Sequence, residues 1–389
     1  MVINKIGSTS LIEIPCINEI FGVRVYGKCE HMNPGGSVKD RAALSMMRGL
    51  KSSGKLFDGC WVVEGTGGNT GVALAMICRE MGYRCYLTMP SNTSVEKREA
   101  MRGMGAEIEV CDMNMKVGDE GHYTRRARKV AEERGGVFVD QFGNLDNCKV
   151  HEEGTGREIL QQLQEIGVDL EDVVFACGAG TGGTIAGVGT AIKNAVKERK
   201  NVDNSSSNDD GNDSDDDAKV VLVDFEGSKL KSYVQTGKFA CDQSDAVGTA
   251  AEGVGISRLT RNFAYGLRNV DAAVKVGDVE IMNACLHISR VDDLRLGPSA
   301  VGNVLGALKA ALRVKRERVS RGDARDVVGV TILCDTGENY LSKAYSESWR
   351  DETYGVGRIA GKLERGTIGD GEWGDRADDE VFEGHVGGS

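Results

Sequence analysis

Asn33-Pro34-Gly35-Gly36-Ser37-Val38-Lys39-Asp40-Arg41 joins a glycine-rich turn to the start of an amphipathic helix and fixes one lysine at that junction. A buried or crowded lysine amine can lose its proton and become nucleophilic, and one chemistry that needs this is Schiff-base linkage to pyridoxal phosphate. The alternative is an ordinary solvated lysine in the first turn of a helix. Lys39 is therefore a candidate covalent anchor.

Two further glycine-rich segments lie between a predicted strand and the helix predicted to follow it. One is Glu64-Gly65-Thr66-Gly67-Gly68-Asn69-Thr70-Gly71, after the apolar run 60–63, and the other is residues 178–184, after the run 173–177. Apolar residues of helical type follow each segment. Free N–H groups at a helix start favour negative charge, so both loops are predicted anion sites.

The second loop has the composition of a phosphate site. Its residues are Gly178, Ala179, Gly180, Thr181, Gly182, Gly183 and Thr184. Glycines let the backbone approach a phosphate closely, and the two threonines can add hydroxyl donors. Gly178, Gly180 and Gly183 also match G-x-G-x-x-G, and Asp224 follows the next predicted strand, so a dinucleotide-binding oxidoreductase stays open. A tight turn with no ligand is the third interpretation.

The first loop has fewer glycines and more hydrogen-bonding side chains. This composition suits a small carboxylate plus one cofactor oxygen better than a diphosphate. Asn69 is its most specific member, although an amide at this position could equally be a helix N-cap.

Taken together, the chain resembles the cysteine synthase and cystathionine beta-synthase family of fold type II pyridoxal-phosphate enzymes over residues 10–345. Several ordered segments carry the resemblance, and their combination is far more specific than any single motif. They are residues 33–41, 64–71, 141–142 with 151–152, 178–184, 252–255, 297–299 and 335–338.

The resemblance implies a role for each matching residue. Lys39 would form the Schiff base, Asn69 would bond the ring hydroxyl of the cofactor, residues 178–184 would hold its phosphate, and Ser299 would face the pyridine nitrogen. Two further groups would contact the substrate carboxylate or line the mouth of the site. These are Thr66, Gly67, Gly68, Asn69 and Thr70 with Gln141 for the carboxylate, and Glu252 and Gly253 for the mouth.

The resemblance also implies an activity. A neutral serine at the pyridine nitrogen favours β-elimination and replacement over transamination, with Lys39 as the base at the substrate Cα and an aminoacrylate between the two half-reactions. The expected reaction is cysteine synthesis from O-acetylserine, or another activated serine, and sulfide or a thiol. Gly67, where many relatives carry serine, and Ala300 depart from the family pattern. Cystathionine synthesis, serine or threonine deamination and a catalytically silent binding protein remain open.

Length and patterning predict an α/β protein with two doubly wound α/β domains of the tryptophan synthase beta-like, fold type II architecture. An N-terminal domain is expected over 1–142 and a C-terminal domain over 143–198 and 219–346. Residues 199–218, which include an Asp-rich stretch, are expected to be an acidic, disordered insertion, and 347–389 a flexible tail. Parallel, fully buried strands are expected in apolar runs at 23–29, 85–89, 108–111, 137–139 and 330–333.

Composition limits the remaining function classes. The net charge of −11 and the lack of aromatic-basic interleaving disfavour nucleic-acid binding. No apolar stretch approaches the ~20 residues of a membrane span, and the five histidines lack metal-ligand spacing. Eleven cysteines without C-x-x-C pairs, and no secretory leader, predict a cytoplasmic or other reducing compartment. A homodimer is expected from the family resemblance.

Overall fold

The computed structural model describes residues 1–116, 118–204, 217–240, 249–366, 368 and 373–377. Residues 205–216, most of the predicted acidic insertion, therefore lie outside the described residues. The same holds for 378–389 at the end of the predicted tail.

Strands and helices alternate along the described chain. The strands are β1 Leu11–Glu13, β2 Arg24–Lys28, β3 Trp61–Gly65, β4 Arg84–Pro90, β5 Glu107–Cys111, β6 Val137–Phe138, β7 Val173–Gly178, β8 Lys219–Asp224, β9 Ala272–Lys275, β10 Val328–Ile332 and β11 Trp373–Asp375. The α-helices are α1 Pro15–Phe21, α2 Lys39–Ser52, α3 Asn69–Met81, α4 Val95–Gly103, α5 Tyr123–Glu133, α6 Asp146–Val150, α7 Arg157–Glu165, α8 Gly183–Asn204, α9 Leu230–Thr236, α10 Arg261–Gly266, α11 Asp278–Val291, α12 Pro298–Ser320 and α13 Glu347–Tyr354.

The smaller domain is built on a parallel sheet with strand order β5-β4-β3-β6. Helices α2 and α3 pack on one face around Met46 and Leu74, and α5 packs on the other face around Val130. Parallel strands covered on both faces need apolar side chains on both, which is why their sequences lack alternation. The strand β5 is an exception: it lies at the sheet edge, and Val110 is exposed.

The larger domain is built on a sheet with order β1-β2-β10-β7-β8-β9-β11 among the described strands. Its central strands are parallel, while β1 and β11 are antiparallel edges. The helix α12 packs against one face of this sheet and α8 against the other. Both domains are therefore doubly wound, as the sequence predicts.

Three predicted boundaries differ from the structure. The strands β1 and β2 belong to the larger sheet, because Tyr26 pairs with Val330 of β10. The residues from 199 to 204 continue α8, so the predicted insertion begins too early. The predicted tail contributes α13 and the edge strand β11, where Gly374 pairs with Ala273. Long-range strand pairing decides the places of β1, β2 and β11, and local composition does not reveal it.

Two observations bear on the environment of the chain. No helix among the described residues combines the length and apolar character that a bilayer-spanning segment needs. The described cysteines are all free thiols, and all but Cys334 are buried.

Candidate active site

A cavity of about 820 Å³ lies between the two domains and collects most of the predicted site residues. The predicted residues that line it are Lys39, Thr66, Gly67, Gly68, Asn69, Thr70, Gln141, Gly180, Thr181, Glu252, Gly253 and Ser299. The remaining members of the predicted phosphate loop, Gly178, Ala179, Gly182, Gly183 and Thr184, are not among its lining residues. The cavity therefore unites the lysine, the two loops and Ser299.

Lys39 is the first residue of α2, and the turn before it is tied to the end of β10. Ser37 bridges to Asp335, and the N–H of Val38 donates to the carbonyl of Cys334 at 2.9 Å. Gly36 adopts φ +79°, a conformation that favours glycine. The Lys39 side chain is half-buried in the cavity wall and has no ion pair with a described residue. It therefore differs from a solvated, salt-bridged lysine.

A buried ion network anchors the first turn of α2 behind Lys39. The Arg41 guanidinium binds Glu30 at 2.8 Å and Glu158 at 2.7 Å. Burial alone would raise the pKa of Glu158, but its hydrogen bonds and charge interactions with Arg41 and Lys28 hold that pKa down at about 2. The network fixes the helix that carries Lys39.

Asn69 begins α3 and has a buried partner from the other domain. Its Nδ2 donates to Asp335 Oδ2 at 2.8 Å, and the Tyr340 hydroxyl donates to the same oxygen at 2.8 Å. Asp335 is fully buried, and burial raises its pKa despite these two donors. No side-chain capping bond is found at the start of α3, so the amide of Asn69 is turned toward Asp335 and the cavity rather than serving as an N-cap.

The phosphate loop lies at the start of α8. Gly182 adopts φ +83°, and a Cβ on Gly180 would lie 1.9 Å from the carbonyl oxygen of Gly253. These glycines therefore allow a close approach of two backbones that any side chain would prevent. Thr181 Oγ1 accepts a bond from Asn147 Nδ2 at 3.1 Å, while Thr184 Oγ1 lies 3.4 Å from His151 Nε2.

His151 lies inside the protein as a support for this loop. Its ring is buried in a π-helical segment, His151–Gly156, and contacts Thr155 Oγ1 at 3.0 Å. Burial, together with the charges of Arg41 and Lys39, lowers the pKa of His151 well below its usual value. The neutral ring therefore braces Thr184 and does not line the cavity.

The loop of residues 66–70, here called the carboxylate loop, is held against Gln141. The Thr70 hydroxyl donates to Gln141 Oε1 at 2.7 Å, and the N–H of Gln141 donates to Glu64 Oε2 at 3.0 Å. Glu64 is fully buried, which raises its pKa to about 8 even though backbone N–H groups bind it. These contacts position the loop at the carboxyl end of β3.

Ser299 lies in the first turn of α12, at the cavity wall, and is 4% exposed. One turn further along, Asn303 accepts a bond from the N–H of Gly178 at 2.7 Å and donates to the carbonyl of Ile332 at 3.0 Å. Cys334 adjoins Ser299 in the wall, and burial raises the pKa of its thiol to about 12. Ser299 and Cys334 are therefore two neutral groups of the cavity wall.

The mouth of the cavity carries an ion bridge between the domains. Lys97 of α4 and Lys343 both bind Glu252, the latter at 2.6 Å. Burial alone would raise the pKa of Glu252, but the two lysines lower it. We call Lys97, Glu252 and Lys343 the mouth bridge.

Several of these residues were not predicted from the sequence. The sequence could have indicated Asp335, because it is the first residue of one of the segments that carry the family resemblance and follows β10 closely. Its contact with Asn69 could not be foreseen, since the two residues are 266 positions apart. Lys97 and Lys343 have no signal, since they look like ordinary charges on surface elements. Trp349 and Tyr354 also line the cavity, although they belong to the predicted tail.

Asp224 does not support the dinucleotide alternative. Its side chain is 3% exposed, and its Oδ2 accepts a bond from the N–H of Lys231 at 3.1 Å. It is not among the residues that line the cavity. The carboxylate that would have to bind a nucleotide ribose is therefore buried and already bonded to the protein backbone.

The residues fit pyridoxal phosphate as a set. One cavity holds a lysine that has no ion pair with any residue the structure describes, part of a glycine loop at the start of α8, the amide of Asn69 and the hydroxyl of Ser299. This donor set offers an amine for the aldehyde, N–H and hydroxyl groups for the phosphate and a neutral partner for the ring nitrogen.

Comparison with known proteins agrees with this fit. The sequence profile described as "Pyridoxal-phosphate dependent enzyme" matches residues 2–328. A putative mitochondrial cysteine synthase of Saccharomyces cerevisiae is 33% identical over 88% of this chain and 83% of the relative. Cysteine synthase 1 of Neurospora crassa is 34% identical over 92% of this chain and 87% of the relative. The crystal structure of an O-ureido-L-serine synthase has a TM-score of 0.67 at 27% identity, over 88% of this chain and 93% of that one.

The chain belongs to the family of pyridoxal-phosphate-dependent enzymes. Within that family, it is a cysteine synthase-like enzyme of the fold type II group. The predictions of family, fold and cofactor are thereby confirmed, and the alternative of a nicotinamide oxidoreductase is wrong.

Proposed function

We propose that this enzyme makes L-cysteine by β-replacement, exchanging the acetate of O-acetyl-L-serine for sulfide. The observation that carries the proposal is the meeting of Lys39, the carboxylate loop, the phosphate loop and Ser299 at one cavity. The relatives named as cysteine synthases support the same reaction.

Each group has a task in this reaction. When bound, pyridoxal phosphate supplies the electron sink that makes the substrate Cα proton acidic. Lys39 Nζ removes the Cα proton and later returns it, which needs an amine that no carboxylate pairs. The loop at the start of α8 holds the phosphate through N–H and hydroxyl donors.

The carboxylate loop and Gln141 orient the substrate by its carboxylate. Ser299 offers a hydroxyl in place of a carboxylate, so it does not stabilise a proton on the ring nitrogen, and release of a β-substituent is favoured over transamination. The mouth bridge limits the access of water to the cavity.

The role of Lys39 can be tested by covalent trapping. Holoenzyme reduced with borohydride should carry the phosphopyridoxyl group on the peptide that contains Lys39, as read by mass spectrometry. Lys39→Ala should lose this label and about 10³-fold or more of the activity, because anchor and base are both removed. Lys51→Ala, a change on the exposed end of the same helix, is the matched control and should keep both. A label on another lysine would contradict the proposal.

The substrate can be tested with a panel. Holoenzyme should form cysteine from sulfide with O-acetyl-L-serine at a kcat/KM at least about tenfold above that with O-phospho-L-serine or L-serine, a difference of about 1.4 kcal/mol in transition-state binding. A preference for L-serine with homocysteine would instead identify a cystathionine synthase. Pyruvate formed from serine without a nucleophile would identify a deaminase.

A further inference from the structure

Gly67 leaves a gap in the carboxylate loop that the side chain of Thr93 fills. A Cβ on residue 67 would lie 2.1 Å from Thr93 Oγ1 and 3.2 Å from Thr93 Cβ. The φ of Gly67 does not lie in the left-handed region, so backbone conformation does not require glycine here. A side chain at position 67 would therefore collide with Thr93 unless Thr93 moved.

Thr93 is fixed by its own short loop. It follows β4, its N–H donates to the carbonyl of Pro90 at 3.1 Å, and the next residue, Ser94, caps α4. The residue is 9% exposed and lines the cavity. The backbone of Thr93 is therefore held at the cavity wall by contacts on both sides, and its hydroxyl lies close to Gly67.

The hydroxyl of Thr93 has no hydrogen-bond partner among the described residues, unlike its neighbours in the carboxylate loop. Thr66 Oγ1 accepts a bond from the N–H of Gly68 at 3.2 Å, and the Thr70 hydroxyl donates to Gln141. A buried hydroxyl usually finds a partner, and one at a cavity wall can find it in a ligand. A substrate carboxylate would accept this bond, and bonds to charged groups are the stronger ones.

We propose that Thr93 donates the hydroxyl hydrogen bond to the substrate carboxylate that a side chain at position 67 cannot provide. The pair Gly67 and Thr93 would then be one specificity unit, in which the hydroxyl comes from the loop after β4 instead of from the carboxylate loop itself. This inference rests on the proposed function, because it takes an amino acid as the ligand of the cavity.

Ligand exchange separates this role from a packing role. The probes are L-serine and L-serinamide, which differ only in carboxylate against neutral carboxamide, and binding to holoenzyme is followed by the change in cofactor absorbance. Wild type should prefer L-serine. The preference should fall about 10-fold or more in Thr93→Val, which keeps the shape of threonine, and should stay within about threefold in Thr93→Ser. Melting temperatures of both variants should match wild type.

A two-site exchange gives a second readout. Gly67→Ser alone should weaken L-serine binding, because its side chain collides with Thr93. In the double variant Gly67→Ser with Thr93→Ala the collision is removed. Its preference for L-serine over L-serinamide should be at least about fivefold higher than that of Thr93→Ala alone. An unchanged preference in Thr93→Val would overturn the proposal while leaving the proposed function in place. If holo wild type binds neither probe, the proposed function fails, and the role of Thr93 fails with it.

Discussion

At the scale of single residues, Asp40 combines burial with incomplete pairing beside Lys39. Its Oδ2 accepts a bond from the N–H of Gly35, whereas Oδ1 is buried and has no hydrogen-bond partner in the described part of the chain. Burial raises the pKa of Asp40 to about 7, and the bond from Gly35 offsets only part of that effect. The carboxyl group therefore costs folding free energy once it ionises.

This carboxyl should make stability depend on pH in a defined window. Because the folded pKa lies above that of an exposed aspartate, the folded chain binds more protons between about pH 4 and 7, and stability falls as pH rises through that window. Between pH 4.5 and 7.5 the unfolding free energy of Asp40→Asn should fall by roughly 2–4 kcal/mol less than that of wild type, as measured by urea unfolding. The exposed control Asp58→Asn should follow wild type. Parallel profiles for wild type and Asp40→Asn would contradict the assignment.

Asn303 is the second residue whose effect can be measured. Its amide joins the end of β7 to the end of β10 through a partly buried bond of 2.7 Å and a buried bond of 3.0 Å. Asn303→Ala should cost about 2–4 kcal/mol of stability, since it leaves buried partners unsatisfied. Asn303→Asp keeps an acceptor for the N–H of Gly178, the first residue of the phosphate loop. It should therefore retain the cofactor better than Asn303→Ala when cofactor release is followed by fluorescence. Equal retention by the two variants would argue against this role.

At the scale of elements, α13 is the clearest difference between prediction and structure. Trp349 packs against the core of the larger domain and makes an edge contact with Tyr354, with ring centroids 5.9 Å apart. If the helix is docked, Trp349→Ala should cost about 2–4 kcal/mol of unfolding free energy. Val356→Ala, at a side chain that is 88% exposed just beyond the helix, should change stability by less than about 0.5 kcal/mol. If Trp349→Ala leaves the unfolding free energy unchanged, α13 is not docked, and the sequence-based prediction of a flexible tail holds for this segment.

Elements with a clear local sequence pattern were predictable. The strands before both glycine loops are short apolar runs, so β3 and β7 and the helices α3 and α8 follow from pattern alone. The edge strand β11 was not predictable, because three residues in a glycine-rich, acidic segment become a strand only through pairing with β9. Local pattern reports what a segment can bury, and pairing depends on distant partners.

At the scale of the whole molecule, the residues expected to share one site were predictable from the sequence, and the contacts that hold the site together were not. Lys39, Asn69 and Ser299 belong to recognisable segments, and the cavity unites them. The contacts of Asp335 with Asn69, and of Glu252 with Lys97 and Lys343, could not be predicted, since each joins residues far apart in the chain. The predicted homodimer is likewise a property of the assembled molecule and stays a prediction.

The mouth bridge should govern how firmly the smaller domain is held over the cavity. Lys97 is 8% exposed and belongs to α4 of the smaller domain, while Glu252 and Lys343 belong to the larger one. Glu252→Gln removes the charge but keeps the shape, so α4 should exchange its amide hydrogens about three- to tenfold faster, as about 1 kcal/mol of partly screened ion pairing is lost.

The matched control for this change is Glu338→Gln, which breaks an exposed pair with Arg295 inside the larger domain and should leave α4 unchanged. High salt should speed the exchange of α4 in wild type more than in Glu252→Gln, because screening acts on charges that the variant no longer has. If α4 exchanges at the same rate in wild type and Glu252→Gln at low salt, then the packing of Lys97 over the Tyr340 ring at 5.2 Å, and not the carboxylate, connects the domains.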